Sequence, residues 1–210
     1  PIVAARRVAD PYEERGTPTS DASMLLNATV TRRTKSMFEP TLTFITHVLN
    51  AYPAQCTARQ FDGALRMCMT ICQTMVHHEN VQNMLDAFFV QHVLPVLKSP
   101  EPFLRLRACA LIHAFDSAGM KWQTSQSLET AFRGVIDCIM DTELPVRVKA
   151  AEAMGELVAH DEVHNAVAPN ACRLMQELLK LSDETDLDVL MTTQDKIVNN
   201  FDEDLLPFSV

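Results

Sequence analysis

Cysteine and histidine are the residues of this chain most able to bind a metal ion. Cys68 and Cys72 lie one helical turn apart, and His77 and His78 follow them. Thiolate and imidazole groups at such a spacing can ligate zinc. Both cysteines stand among leucine, methionine and isoleucine residues, however, where a free cysteine behaves as a small apolar side chain. We therefore expect core packing rather than a metal site, and no cofactor.

No set of residues in the sequence predicts catalysis. The 5 glycines form no glycine-rich loop that could hold a phosphate group. No nucleophile stands in a pattern with a base and a group that would orient that base. We therefore expect the chain not to be an enzyme.

Acidic side chains are concentrated in the second half of the chain. Residues 1–105 carry 10 Lys/Arg and 9 Asp/Glu, a net charge of +1, whereas residues 106–210 carry 8 and 18, a net charge of −10. Such a surface suits basic partners and disfavours direct binding of nucleic acid, although ordinary solubilising charge is the alternative. The densest clusters, our candidate contacts for a basic partner, are Asp183, Glu184, Asp186 and Asp188 in one turn and Asp202, Glu203 and Asp204 in the next.

A helical pattern repeats along the chain, and the acidic clusters lie in its turns. In the segment Asp141 to Val158, Pro145 suits the first turn of a helix. Backbone amides in that turn have no hydrogen-bond partner within the helix, so proline loses nothing there by lacking an amide hydrogen. Apolar residues follow at steps of three and four. Residues 99–115 match this segment without a gap at an offset of 147 − 105 = 42, and weaker copies cover 59–71 and 186–201. A period of about 40–47 residues with two helices per unit is typical of HEAT and armadillo repeats. The acidic turn, the valine–arginine pair and the paired alanines favour HEAT.

Basic residues recur at the start of the second helix of two successive units. Arg105 and Arg107 stand in one unit, and Arg147 and Lys149, just after Pro145, stand in the next. In HEAT proteins this arginine often pairs with the acidic turn of an adjacent unit. We therefore interpret the basic ladder as structural rather than as a ligand contact.

The sequence predicts an all-α solenoid of HEAT repeats, built from antiparallel helix pairs with a period of about 42 residues. We expect residues 1–18 to form a loop or the tail of a preceding segment. Residues 19–210 should form about four to five repeats of one continuous solenoid segment that is truncated at both ends, since Pro1 is no natural initiator. The expected first helices span about 81–97, 125–140 and 164–181. The expected second helices span 58–76, 103–117, 145–160 and 187–201, and two helices at about 21–33 and 37–50 precede them.

The apolar runs and the cysteines limit the environments in which we expect the chain to function. The longest apolar runs are short and interrupted, so we expect no membrane span. The 6 cysteines lie mostly on expected core faces without the spacing of a disulfide framework, which favours a reducing compartment.

Five short motifs in this order resemble landmarks of the importin-β superfamily of karyopherins, and most of all its importin seven/eight branch. The resemblance extends from about residue 10 onward and corresponds to a middle portion of a larger receptor. The motifs are Arg59-Gln-Phe-Asp-Gly-Ala-Leu-Arg-Met, Gln91-His-Val-Leu-Pro, Arg105-Leu-Arg-Ala-Cys, Ser125-Gln-Ser-Leu-Glu-Thr-Ala and Leu144-Pro-Val-Arg-Val-Lys-Ala-Ala.

The resemblance implies a nuclear transport receptor that shuttles between cytoplasm and nucleus. Such receptors carry basic protein cargo through the nuclear pore, contact Phe-Gly nucleoporins and release cargo when Ran-GTP binds. They bind Ran chiefly through N-terminal repeats outside the matched portion, so we assign no Ran-binding residue. A Ran-dependent export receptor of the same superfamily is one alternative. A HEAT-repeat scaffold of a phosphatase or chromosome complex is another.

Overall fold

A computed structural model describes residues 17–168, 171–185 and 187–201. The predicted tail of residues 1–18 therefore lies almost entirely outside the described residues, as do residues 202–204. The described residues form helices and contain no strand. The all-α expectation is confirmed.

Eleven α-helices are formed by the described residues, and most begin as the sequence predicts. Thr17, Thr57 and Thr124 each accept a backbone hydrogen bond at a helix start, as N-cap residues do. The helices are α1 (Pro18–Arg32), α2 (Thr34–Ala51), α3 (Ala58–Thr70), α4 (Cys72–His77), α5 (Leu85–Phe88), α6 (Pro102–Ser117), α7 (Ser125–Ile139), α8 (Leu144–Leu157), α9 (Asp161–Val167), α10 (Ala171–Thr185) and α11 (Asp188–Asn200).

The helices pack as successive antiparallel pairs, which confirms the expected HEAT solenoid. Within pairs, α2 contacts α3, α7 contacts α8, and α10 contacts α11. The second helices also form a continuous layer, because α3 contacts α6, α6 contacts α8, and α8 contacts α11. Each repeat thus buries its apolar face against its neighbours, as in other stacked arrays.

Small residues allow the second helices to approach closely. Ala108 in α6 and Ala150, Ala151 and Ala153 in α8 are fully buried at the most extensive helix–helix contact of the chain. Farther along, a Cβ atom added to Gly155 would lie 3.2 Å from Cγ2 of Thr193 in α11. Alanine and glycine at these positions therefore set the spacing between repeats.

Two predicted helices are interrupted. The expected helix over 58–76 breaks at Ile71, whose φ of −107° and ψ of 15° separate α3 from α4. The expected helix over 81–97 contains a 3₁₀ turn (Gln82–Met84), α5, a π-helical turn (Phe89–Val93) and a second 3₁₀ segment (Leu94–Lys98). Pro95 has no amide hydrogen to donate to the preceding turn, and it stands where the π-helical turn gives way to the second 3₁₀ segment.

The expected helix over 164–181 is also divided. Helix α9 ends at Val167 and α10 begins at Ala171. Pro169 lies outside the described residues.

Candidate partner-binding surface

Arg105 joins one repeat to the acidic turn of the next. Its Nε donates to Oδ2 of Asp141 over 2.6 Å, and its second terminal nitrogen donates to Oδ1 over 2.9 Å. The remaining terminal nitrogen donates to the carbonyl oxygens of Ser99 and Pro100 at 2.8 and 3.3 Å. One planar guanidinium thus fixes the turn of its own repeat and the turn that follows.

Electrostatics reinforce this contact from both sides. The hydrogen bond from Arg105, followed by the backbone amide of Glu143, holds the pKa of the Asp141 carboxyl below its usual range, although partial burial opposes this. The same hydrogen bond raises the pKa of Arg105. Both groups are therefore charged at neutral pH, and the pair is the strong, two-bond kind.

Arg147 makes the corresponding contact one repeat later, but in a more open setting. Its two terminal nitrogens donate to the carboxylate of Glu184 at 3.4 and 2.7 Å. Its Nε is buried and has no hydrogen-bond partner among the described residues, and Glu184 is exposed. Glu184 was one of our candidates for contact with a basic partner, so Arg147 already engages one member of that cluster.

The other two basic residues at these positions bind differently from each other. Arg107 Nε donates to Asp62 in α3 over 2.7 Å, toward the preceding repeat. Lys149 Nζ lies 2.8 Å from both carboxylate oxygens of Glu152 within the same helix, and both residues are buried. Pro145, on which the expected ladder also relied, occupies the first turn of α8. Sequence reasoning did not identify Asp62 or Glu152. Asp62 lies in another repeat than its partner Arg107, and the burial of Glu152 with Lys149 depends on how the helices pack.

The acidic cluster of the last repeat is only partly described. Asp183 and Glu184 are exposed near the end of α10, and Asp188 is exposed in the first turn of α11. Carboxylates at the C-terminal end of a helix repel its dipole, whereas those in a first turn are favoured. The candidates Asp186, Asp202, Glu203 and Asp204 lie outside the described residues.

A carboxylate bridges three helices of the layer that the second helices form. Glu156 Oε1 of α8 accepts a hydrogen bond from Lys196 Nζ of α11 over 2.6 Å. The same oxygen lies 3.4 Å from Nδ1 of His113 in α6. These three residues are about 40 positions apart, so the sequence offered no local signal for the cluster.

A second polar cluster lies between the repeats at the loop that follows α6. The Trp122 Nε1 donates to Oδ1 of Asp116 over 2.8 Å, and Nε2 of His160 lies 3.0 Å from both Asp116 oxygens. The hydrogen bond to Asp116 raises the pKa of His160 although burial opposes it. Trp122 also packs edge-on against Phe89 with ring centroids 5.5 Å apart. These contacts show that Trp122 packs between the repeats.

Of the cysteines that suggested a metal ion, Cys68 lies in the core and Cys72 packs against it, partly buried. Cys68 is fully buried, and burial raises the pKa of its thiol to about 12. Burial also raises the pKa of the Cys72 thiol. Across residues 17–168, 171–185 and 187–201, no group of three or more His, Cys, Asp and Glu is arranged to hold a metal ion.

Apolar side chains remain exposed on the first helices of the pairs. Phe44 in α2, Val90 in the π-helical turn, Ile136 in α7 and Leu179 in α10 are each about 40–55% exposed. At least one large apolar side chain therefore faces solvent in each of four successive repeats. None of the helices that the structure describes has the length and apolar character needed to cross a membrane.

Comparison with known proteins finds relatives along almost the whole chain. Nonsense-mediated mRNA decay protein 5 of Saccharomyces cerevisiae is 28% identical over 202 residues, which cover 92% of this chain and 19% of the yeast protein. Human Importin-8 is 26% identical over 212 residues, covering 100% and 20%. The importin beta-like SAD2 homolog of Arabidopsis thaliana is 26% identical over 209 residues, covering 98% and 20%. The chain thus spans about a fifth of the length of these curated relatives. No family model matches the chain, and no solved structure matches it.

Proposed function

Because the chain is homologous to a segment of the importin seven/eight branch of the importin-β superfamily, we propose that it serves in a nuclear import receptor that carries basic protein cargo through the nuclear pore. The observation that supports this most is the match to human Importin-8 over 100% of the chain. The relatives named as importins are transport proteins rather than enzymes, which agrees with our expectation that this chain is not an enzyme. Cargo release by Ran-GTP and shuttling between cytoplasm and nucleus belong to the same proposal.

The acidic turn of the last described repeat is the surface that we propose for basic cargo. Asp183 and Asp188 are exposed and make no ion pair within the described residues, while Glu184 is bound by Arg147. Asp183 also lies near the end of α10, where a nearby cation would relieve its repulsion from the helix dipole. A lysine- or arginine-rich segment would supply that cation, and the excess negative charge of this half would speed encounter.

Binding of a histone to this chain tests the acidic turn. Neutralising Asp183, Glu184 and Asp188 as Asn, Gln and Asn should weaken binding at low salt by about tenfold, since each lost contact to a rim charge is worth about 0.5 kcal/mol. The matched control neutralises three exposed carboxylates of the first half in the same way. These are Asp21, Glu39 and Glu79. Equal loss of affinity in both triple variants would mean that net charge, rather than this turn, attracts the ligand.

Control by Ran is tested on the protein at its natural length. Immobilised histone or ribosomal protein should retain the receptor, and Ran locked in its GTP state should release it. Stronger retention with Ran-GTP would instead identify an export receptor. No response to Ran-GTP would contradict both transport functions and favour a HEAT-repeat scaffold.

The exposed apolar residues of the first helices support contact with Phe-Gly nucleoporins. Isolated phenylalanine side chains could pack against such residues, and repetition in successive repeats would add weak contacts through effective concentration. Replacing Val90 and Ile136 with serine should reduce retention on a column of Phe-Gly peptide. Replacement of two exposed polar residues, Gln91 and Asp137, with alanine provides the control. Unchanged retention of the Val90/Ile136 variant would contradict this contact.

A further inference from the structure

The junction between α1 and α2 carries a concentration of basic residues that the transport function does not use. Arg32, Arg33 and Lys35 lie within four positions, are exposed, and make no ion pair with any described residue. By contrast, the arginines that join the repeats are bound to carboxylates. These three cations stand in the half of the chain that has no acidic excess.

An exposed hydroxyl group stands within this cluster. Ser36 is exposed, and within the part of the chain that the structure describes its Oγ donates only to the carbonyl oxygen of Arg33, over 3.3 Å. The chain has 12 arginines, and Arg33 alone has a serine or threonine three residues after it. Kinases that select arginine three residues before the acceptor do so with carboxylates that pair with the guanidinium. We propose that Ser36 is a phosphorylation site for an arginine-directed protein kinase.

The backbone around Ser36 can open at low cost. Arg33 departs from helical geometry, with φ −130° and ψ 41°, and so separates α1 from α2. Within α1 only Val30 is buried, while Met24 and Leu25 are exposed. Segments with few buried contacts unfold locally more readily than the core. A kinase that requires an extended acceptor can therefore reach Ser36 by local opening of α1 and the first turn of α2, and the buried Phe38, two residues after Ser36, limits that opening on the other side.

The reaction is an ordinary phosphoryl transfer from ATP. The Ser36 Oγ forms a bond to the γ-phosphorus, the bond from that phosphorus to the β–γ bridging oxygen breaks, and ADP leaves. The hydroxyl proton passes to the kinase base. The phosphorylated side chain carries a charge of about −1.5 to −2, so it would neutralise most of the positive charge of the cluster. Glu39 lies three residues farther along α2, and its negative charge would repel the phosphate toward Arg32 and Arg33.

Phosphorylation of the folded 210-residue chain with Mg-ATP and an arginine-directed kinase tests the proposal. Mass spectrometry should find one phosphate on Ser36, and Ser36→Ala should abolish it. Arg33→Ala should slow the reaction by about tenfold or more, because it removes a charge-assisted contact with the kinase. Arg59→Ala is the control and should leave the rate unchanged, since Arg59 is also exposed but has an aspartate three residues after it.

Two results would overturn the proposal. One is phosphate on Thr34 or elsewhere with Ser36 unmodified. The other is an Arg33→Ala variant that reacts as fast as the parent chain. Circular dichroism of each variant before the reaction distinguishes a lost recognition contact from a lost fold.

Discussion

Replacing Arg105 with alanine should destabilise the chain far more than the same replacement at Arg147. The two arginines occupy equivalent positions, 147 − 105 = 42 residues apart, and each binds a carboxylate in the turn of the next repeat. Their surroundings differ. The side chains of Arg105 and Asp141 are 17% and 8% exposed, whereas those of Arg147 and Glu184 are 25% and 49% exposed.

Exposure sets the expected magnitudes. Removing one partner of a fully buried ion pair costs about 3–5 kcal/mol. Partial exposure of Arg105 lowers our expectation for Arg105→Ala to about 2–3 kcal/mol, the scale of one or two hydrogen bonds between charged groups. Solvent screens the second pair, so Arg147→Ala should cost less than about 1 kcal/mol. The buried, unpaired Nε of Arg147 lowers the value of that contact further.

Urea unfolding followed by circular dichroism measures both effects. Each arginine is replaced by alanine, each carboxylate partner by its amide, and both together, so that a double-mutant cycle isolates the pair. We expect a coupling energy of about 1.5–3 kcal/mol for Arg105–Asp141 and about 0–1 kcal/mol for Arg147–Glu184. Because stacked repeats can unfold in parts, Trp122 fluorescence provides a second probe of the transition.

Equal coupling energies in the two pairs would refute the reasoning from exposure. Acid provides an independent check on the first pair. Since Arg105 lowers the pKa of Asp141, the pair stabilises the chain above the usual carboxyl pKa of about 4 and loses this effect as the pH falls through the lower pKa of the folded state. The Asp141→Asn variant should therefore lose less stability than the parent chain on acidification.

Two further predictions concern packing and pH. Gly134→Ala should destabilise the chain by about 1–3 kcal/mol through overpacking, because the new Cβ would lie 2.6 Å from Cδ1 of Leu97. The control is Gly63→Ala, whose new Cβ meets nothing within 4 Å and which should stabilise the chain by about 0.5–1 kcal/mol. A higher urea midpoint for Gly134→Ala than for Gly63→Ala would contradict this prediction. Asp116 raises the pKa of His160, so this contact stabilises the fold fully below a pH of about 6.5 and is lost as the pH rises through the higher pKa of the folded state. The urea midpoint should fall between pH 6 and pH 8 by more in the parent chain than in His160→Gln, and equal falls would exclude His160 as the cause.

Helix positions were predictable because they follow from local patterns. Apolar residues at steps of three and four define a helix face whatever the helix packs against, and α6, α7 and α8 begin and end within a few residues of the expected limits. Proline and the capping threonines act within one turn and were equally readable. The break at Ile71 was not, because no proline or glycine marks it and the residue is buried by tertiary contacts.

The partners of the ladder were only partly predictable. That an arginine would pair with an acidic turn follows from the repeat. The sequence has no local signal, however, that the side chain of Asp141 is nearly buried and that of Glu184 is exposed. The carboxylates Asp62 and Glu156 were missed for a related reason. Their partners come from neighbouring repeats, and a distance of about 40 residues along the chain becomes a contact only when the repeats stack.

The sequence by itself determined the helices, the repeat length and the acidic second half, because these depend on residue type, spacing along the chain and composition. The resemblance of its motifs to importins also required nothing more. Only the tertiary structure decided which charges are paired, which are buried and which, at the α1–α2 junction, have no ion pair with another described residue. Those properties depend on how closely the repeats approach one another, and that distance is set by the fit of many side chains at once.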